Sequence, residues 1–123
     1  MSLFKNINVV SYHVRDWERA KKFYGEVLEW PVNWASDELG WIEYGRDGET
    51  HISISRWESA DPLPVDGPIL VFSVDDARAV IQALRAKGVR CDDVVEVPGV
   101  VVYFTFYDPE GNRLQAASSA SGG

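Results

Sequence analysis

The strongest constraint on this chain is that one pattern of elements runs through it twice. Residues 7–14 (Ile-Asn-Val-Val-Ser-Tyr-His-Val) are rich in β-branched and aromatic types and predict a strand. Asp16 follows where a helix needs an N-cap. Behind it Ala20, Phe23, Tyr24, Val27 and Leu28 recur at helical spacing, which predicts a helix over about 17–28. Residues 30–36 can hold a short, poor strand, and 41–45 another. Asp47-Gly48 is a hairpin turn signal. His51-Ile-Ser-Ile-Ser-Arg56 alternates strictly, as a half-buried strand does.

Residues 58–67 contain two prolines and a glycine and read as a linker. The pattern then restarts. Residues 69–74 predict a strand, Asp75 or Asp76 a cap, and Ala77, Val80, Ile81 and Leu84 a helical stripe that ends at Lys87-Gly88. Residues 89–97 can hold a short strand, 100–107 form a long β-rich run, 108–111 a turn, and 113–117 a last strand. A shift of 60 residues places Val14 on Val74, Asp16 on Asp76, Ala20 on Val80 and Tyr24 on Leu84. The order β-α-β-β-β, linker, β-α-β-β-β is therefore read as a duplication. The expected fold is α+β: two tandem βαβββ modules, about 5–57 and 68–118, with a flexible tail at 119–123. A lone half would leave one sheet face wet. The expectation is that the two sheets curl together around one cavity, a ready place for a small molecule.

Composition narrows the function classes. A chain of 123 residues is one ordinary domain. Its apolar runs are a handful of residues long, far short of a membrane span. A net charge of −7, spread evenly over both halves, offers no electrostatic footprint for nucleic acid. The single cysteine, Cys91, excludes an internal disulfide, and no zinc-type spacing is present. With no visible signal peptide, a cytoplasmic location is expected. Residues 1–3 and 118–123 read as frayed ends.

Two stretches resemble a known family. Val14-Arg-Asp-Trp-Glu-Arg-Ala-Lys-Lys-Phe-Tyr24, with Val27-Leu28-Glu-Trp30, resembles the first strand-to-helix motif of the glyoxalase/bleomycin-resistance/extradiol-dioxygenase (vicinal oxygen chelate) superfamily. Asp108-Pro-Glu-Gly-Asn-Arg-Leu-Gln115 resembles its final hairpin. The likeness covers about residues 7–117, and the duplicated order is the superfamily's own. It implies a divalent-metal site on inward-facing strand positions. Carried over residue by residue, those positions are Val9, Ser53, Ile69 and Gln115. Val and Ile have no donor atoms, so no metal and no cofactor are expected here. The resemblance also implies a homodimer.

Strand parity from these positions defines the expected lining. Val9, Ser11 and His13 would face in from the first strand, Trp41 and Glu43 from the third, and His51, Ser53 and Ser55 from the fourth. The second half would contribute Ile69, Val71 and Ser73, then Tyr103, Thr105 and Tyr107, and Arg113, Gln115 and Ala117. His13, Glu43 and Tyr103 are the candidates for acid–base chemistry, with Glu43 a carboxylate partner for either histidine. The expected ligand-binding set is Val9, Ser11, His13, Trp41, His51, Ser53, Ile69, Ser73, Tyr103, Thr105 and Gln115. Trp41 and Trp34 are the better aromatic walls. Cys91, beside Asp92 and Asp93, is a poor nucleophile.

The leading reading is a metal-free binder of a small amphipathic or aromatic molecule. The rivals are a metal-independent isomerase or lyase using His13, a lactoylglutathione-lyase-like enzyme with displaced metal ligands, and a regulatory module with a vestigial cavity. Fold cannot choose among them.

Overall fold

Both helices start where an aspartate stands ready to cap them. The Asp16 carboxylate accepts from the Arg19 backbone N–H, and that of Asp76 from the N–H groups of Arg78 and Ala79. Each satisfies donors that the first helical turn leaves over. The computed structural model describes residues 7–67 and 69–120; the expected frayed start at 1–3, the first residues of module 1, Pro68 and the end of the tail at 121–123 lie outside the described residues.

The elements follow the order β1 (Val9–Val14), α1 (Trp17–Lys22), β2 (Val32–Ser36), β3 (Trp41–Tyr44), β4 (His51–Arg56), β5 (Leu70–Ser73), α2 (Ala77–Ala86), β6 (Val95–Val97), β7 (Val101–Tyr107) and β8 (Arg113–Ser119). The helix expected over 17–28 is α-helical only to Lys22 and continues as a π-helical turn, Phe23–Val27. The chain then turns at Glu29, a non-glycine residue at φ +60°. Cys91 contributes only an isolated bridge to Phe106, so the expected strand over 89–97 shrinks to β6.

The chain divides into two compact units between Pro64 and Val65, inside the 58–67 stretch. The two units repeat one topology. The first sheet has the order β1-β4-β3-β2 and the second β5-β8-β7-β6. In each, the first and last strands of the module pair in parallel, and the remaining pairs are antiparallel. The sheets are separate and neither closes on itself.

Each module has its own core on the helix side of its sheet. In the first, Tyr12, Val14, Ile42, Tyr44, Ile52 and Ile54 are buried. Tyr24 of the π turn stacks on Tyr44 with ring centroids 6.0 Å apart. In the second, Phe104, Phe106, Leu114 and Ala116 lie beneath Ala77, Ile81 and Leu84 of α2. Burying a side chain of this size is worth about 1.5–3 kcal/mol, so these residues decide which face of each strand turns inward.

Two expectations at element ends are corrected. Ser118 and Ser119 are not a frayed tail: they complete β8, opposite Val102 and Val101. Ser118 is buried, and its hydroxyl accepts from the Ala77 N–H at 3.0 Å, a tertiary contact that local sequence cannot reveal. Ile69 precedes β5 rather than lying in it, and is 37% exposed. Among the described residues no helix is long and apolar enough to cross a membrane.

Candidate functional site

The register of the first sheet sets its polar side chains in rows on the face opposite α1. One row runs His13, Ser55, Trp41, Ser36 across β1, β4, β3 and β2. The next runs Ser11, Ser53, Glu43, Trp34. A third pairs Val9 with His51. The face expected from strand parity thus carries Val9, Ser11, His13, Trp41, Glu43, His51, Ser53 and Ser55 together. Alternation does this: the buried Ile52, Ile54, Ile42 and Tyr44 hold the odd face of each strand away from the helix.

Glu43 is the hub of that face. Its Oε2 accepts from the Trp41 indole N–H at 2.9 Å, and its Oε1 lies 3.0 Å from His51 Nδ1. The other ring nitrogen of His51, Nε2, lies 3.0 Å from the carbonyl oxygen of Arg46. Both nitrogens of this imidazole face acceptors, which only the doubly protonated ring satisfies. The directions of titration agree. The Trp41 N–H, then the His51 contact, hold the Glu43 carboxyl below its ordinary range. The Glu43 contact, then the Arg46 carbonyl, raise His51.

His13 and Glu43 are not brought together. They lie on β1 and β3, with β4 between them, or roughly 10 Å apart at the spacing of strands. The carboxylate that could serve either histidine serves His51. His13 instead lies beside Trp57, ring centroids 5.0 Å apart. That tryptophan was not among the expected lining residues. It follows β4 directly, and its N–H donates to the Asp61 carbonyl at 3.1 Å.

Ser53, at the centre of the face, is 0% exposed, and its hydroxyl has no hydrogen-bond partner among the described residues. A buried polar group left in this state costs about 1–3 kcal/mol, and such groups are uncommon in native structures.

The second sheet presents its own face opposite α2. Val71, Gln115 and Thr105 form one row, and Ser73, Ala117, Tyr103 and Val95 the next. Gln115 Nε2 donates to Thr105 Oγ1 at 3.1 Å. Val71, Val95 and Val97 are 54%, 43% and 40% exposed, so this face is markedly apolar. Tyr107 lies at one end, its hydroxyl donating to Asp92 at 2.6 Å with Arg90 over its ring.

The superfamily's metal positions are a poor fit to a metal. Val9 and Ile69 supply no donor, Ser53 supplies a neutral hydroxyl, and Gln115 supplies only a neutral amide oxygen, its Nε2 donating to Thr105. Both nitrogens of His51 are occupied as well. Among the described residues no three His, Cys, Asp or Glu side chains are grouped to hold an ion. Cys91 is half-buried; burial raises its thiol, Asp92 adds to this, and Arg85 opposes it. The expectation from the neighbouring acids therefore names the lesser of the two upward effects.

The Asp108-Pro109-Glu110-Gly111 turn is structural. Buried Asp108 accepts from the backbone N–H groups of Glu110 and Asn112, both at 2.9 Å, and from Asn112 Nδ2 at 2.8 Å. Gly111 supplies φ +91°.

A duplicated βαβββ chain, with a polar–aromatic face on one sheet and an apolar one on the other, defines a class of small α+β domains. The chain belongs to the Glyoxalase/Bleomycin resistance protein/Dioxygenase superfamily, whose family model matches residues 6–116. A glyoxylase-like domain-containing protein from Didymella fabae is 27% identical over 118 residues, covering 91% of this chain and 92% of that one. Among solved structures, a putative glyoxalase family protein from Bacillus anthracis superposes with TM-score 0.77 at 22% identity, covering 97% and 98% of the two chains. TnmS3, an antibiotic binding protein from Streptomyces sp. CB03234, gives 0.76 at 22%, covering 97% and 99%. A lactoylglutathione lyase from Agrobacterium tumefaciens gives 0.73 at 16%, covering 92% of each. At these identities the structural likeness establishes the fold alone.

Proposed function

We propose that this protein binds a small amphipathic or aromatic molecule without the superfamily's metal, and that the face of the first sheet opposite α1 supplies its polar recognition. The observation that carries the reading is the Ser53 hydroxyl, fully buried and unpartnered at the centre of that face. A ligand oxygen or nitrogen at Ser53 would satisfy it. Trp41 offers a half-buried ring beside it, and the Glu43–His51 pair holds that ring by its N–H. Val9 at a superfamily metal position supports the metal-free half of the reading, because an aliphatic side chain contributes contact rather than coordination.

The same geometry speaks against Glu43 as a free general base, since each of its oxygens is already engaged. Its role is to position Trp41 and His51. The antibiotic-binding neighbour of the same fold is compatible with sequestration of a small molecule.

The test is a thermal-shift screen of metabolites and antibiotics, since a ligand that binds the native state raises Tm by mass action. Hits should lose affinity in Ser53→Ala and quench Trp41. Elemental analysis of protein purified without chelator accompanies it; tight stoichiometric metal would overturn the metal-free reading. Light scattering tests the homodimer that the superfamily implies.

A further inference from the structure

β2 departs from strict alternation at one point. Val32 stands opposite Tyr44 and Trp34 opposite Glu43, so one extra residue, Asn33, is inserted between them. Its Nδ2 donates to Asp47 Oδ1 at 2.9 Å, which ties the bulge to the turn between β3 and β4. A bulge shifts the parity of everything after it. Val32 and Ala35 accordingly both join Ile42 and Tyr44 along the groove beside α1, and Trp34 is delivered to the face opposite α1, beside Glu43. Unbroken alternation would have put Trp34 on the helix side with Val32. On the edge strand its ring remains 48% exposed.

Trp34 is one of three tryptophans on that face. It is the diagonal cross-strand neighbour of Trp41, about 7–8 Å away at ordinary strand spacing. Trp57 continues β4 in step with Ser53 and Ser55, its backbone N–H donating to the Val14 carbonyl at 2.8 Å. The polar edges of two of these rings are used by the protein, since Trp41 donates to Glu43 and Trp57 to the Asp61 carbonyl. What they can offer a ligand is ring surface. The charges are used as well. Glu43 and His51 balance each other, Arg15 at the end of β1 donates to the Asp61 carbonyl, and His13 packs against Trp57. The buried polar atom that this face leaves without a partner among the described residues is the Ser53 hydroxyl.

We infer that the ligand of this face is an uncharged, flat, fused-ring aromatic molecule with one hydrogen-bonding edge, and that Trp34 is a specificity-determining residue for it. This ligand class rests on the binding role proposed above for the face and narrows it. The fused rings stack on the indoles, and the polar edge meets Ser53. A net charge on the ligand would meet the balanced Glu43–His51 pair rather than a lone counter-charge. A sugar, with a hydroxyl on nearly every carbon, would find both oxygens of the central carboxylate already occupied.

The experiment is an amide NMR titration with 2-quinolone, a neutral bicyclic lactam. Saturable shifts are expected at Trp34, Trp41 and Ser53. Decahydro-2-quinolone has the same lactam edge without the aromatic ring and should bind at least tenfold more weakly. The cation N-methylquinolinium and the anion quinoline-2-carboxylate should also bind more weakly than the lactam. Trp34→Leu keeps an apolar side chain at the sheet edge and should fold with the wild-type Tm. It should weaken 2-quinolone roughly five- to hundredfold, the scale of one stacked ring, and Trp34→Phe should recover part of that loss. Absence of saturable shifts at millimolar 2-quinolone would overturn the inference. So would an affinity indifferent to Trp34→Leu, tighter binding of the saturated or a charged analogue, or saturable shifts at these residues from a methyl glycoside and none from the lactam. The broader reading is judged separately: a molecule of any ring system or charge whose binding is lost in Ser53→Ala sustains it, so its failure and the failure of the ligand class are distinguishable.

Discussion

Glu43 and His51 face each other across β3 and β4, with carboxylate and imidazole 3.0 Å apart. Beyond them, the Trp41 N–H and the Arg46 carbonyl complete a chain of three contacts on one sheet face. The carboxylate expected to serve either histidine serves His51, and the two form one structural unit.

Stability should therefore depend on pH in two limbs. His51 is raised above its ordinary 6.5, so its contribution is fully present below 6.5 and is lost as pH climbs through the folded value. Glu43 is lowered below its ordinary 4.5, so its contribution is present above 4.5 and is lost as pH falls through the folded value. The pair is at full strength between 4.5 and 6.5. Proton NMR should place the His51 midpoint above 6.5, and Glu43→Gln should bring it down. A wild-type midpoint at or below the ordinary value would contradict the arrangement.

Gly45 should resist substitution. It holds φ +134°, and a Cβ there would stand 2.9 Å from His51 Cδ2. Gly45→Ala combines an unfavourable backbone with a displaced imidazole, and about 1–3 kcal/mol of destabilisation is expected by chemical denaturation. The His51 resonance should move in the same variant; an unchanged midpoint and an unchanged shift would refute both effects.

Ser53→Ala separates a binding role from a structural one. Removing a buried, unpartnered hydroxyl should leave the ligand-free protein as stable as the wild type, or stabler by about 1 kcal/mol. A loss of stability beyond about 1 kcal/mol would mean that the fold itself uses the hydroxyl.

Asp108→Ala should be costly. It removes three hydrogen bonds from a charged acceptor and leaves the Asn112 amide buried. A loss of about 3 kcal/mol is expected from urea denaturation. Asp108→Asn keeps an acceptor at Oδ1 and should lose less. Equal losses would deny the turn its dependence on the carboxylate.

Cys91 should react slowly with a maleimide or an aromatic disulfide at neutral pH, because the thiolate is the reactive form and its thiol is raised. Labelling as fast as that of a free thiol would place Cys91 in a different environment.

The duplicated topology was legible because it rests on local chemistry. Asp16 and Asp76 cap helices by their position in the chain, and Ile52 and Ile54 declare their face by alternation alone. Parity then assigned Ser11, His13, Trp41, Glu43, His51 and Ser53 to one side of the first sheet without any knowledge of their neighbours. Period-two alternation identifies a face, but it says nothing about register between strands. Only the ladder of β3 on β4 sets Glu43 next to His51, separates it from His13, and leaves Ser53 without a partner. The groove beside Tyr44 was equally hidden. It depends on how a π turn carrying Gly25 packs against Tyr44, 19 residues further on. The amino-acid sequence by itself determined the two modules, their caps and the polar face of the first sheet. Tertiary structure alone decided which of those side chains satisfy one another and which are left over, because hydrogen-bond partnership is a relation between strands rather than a property of any one of them.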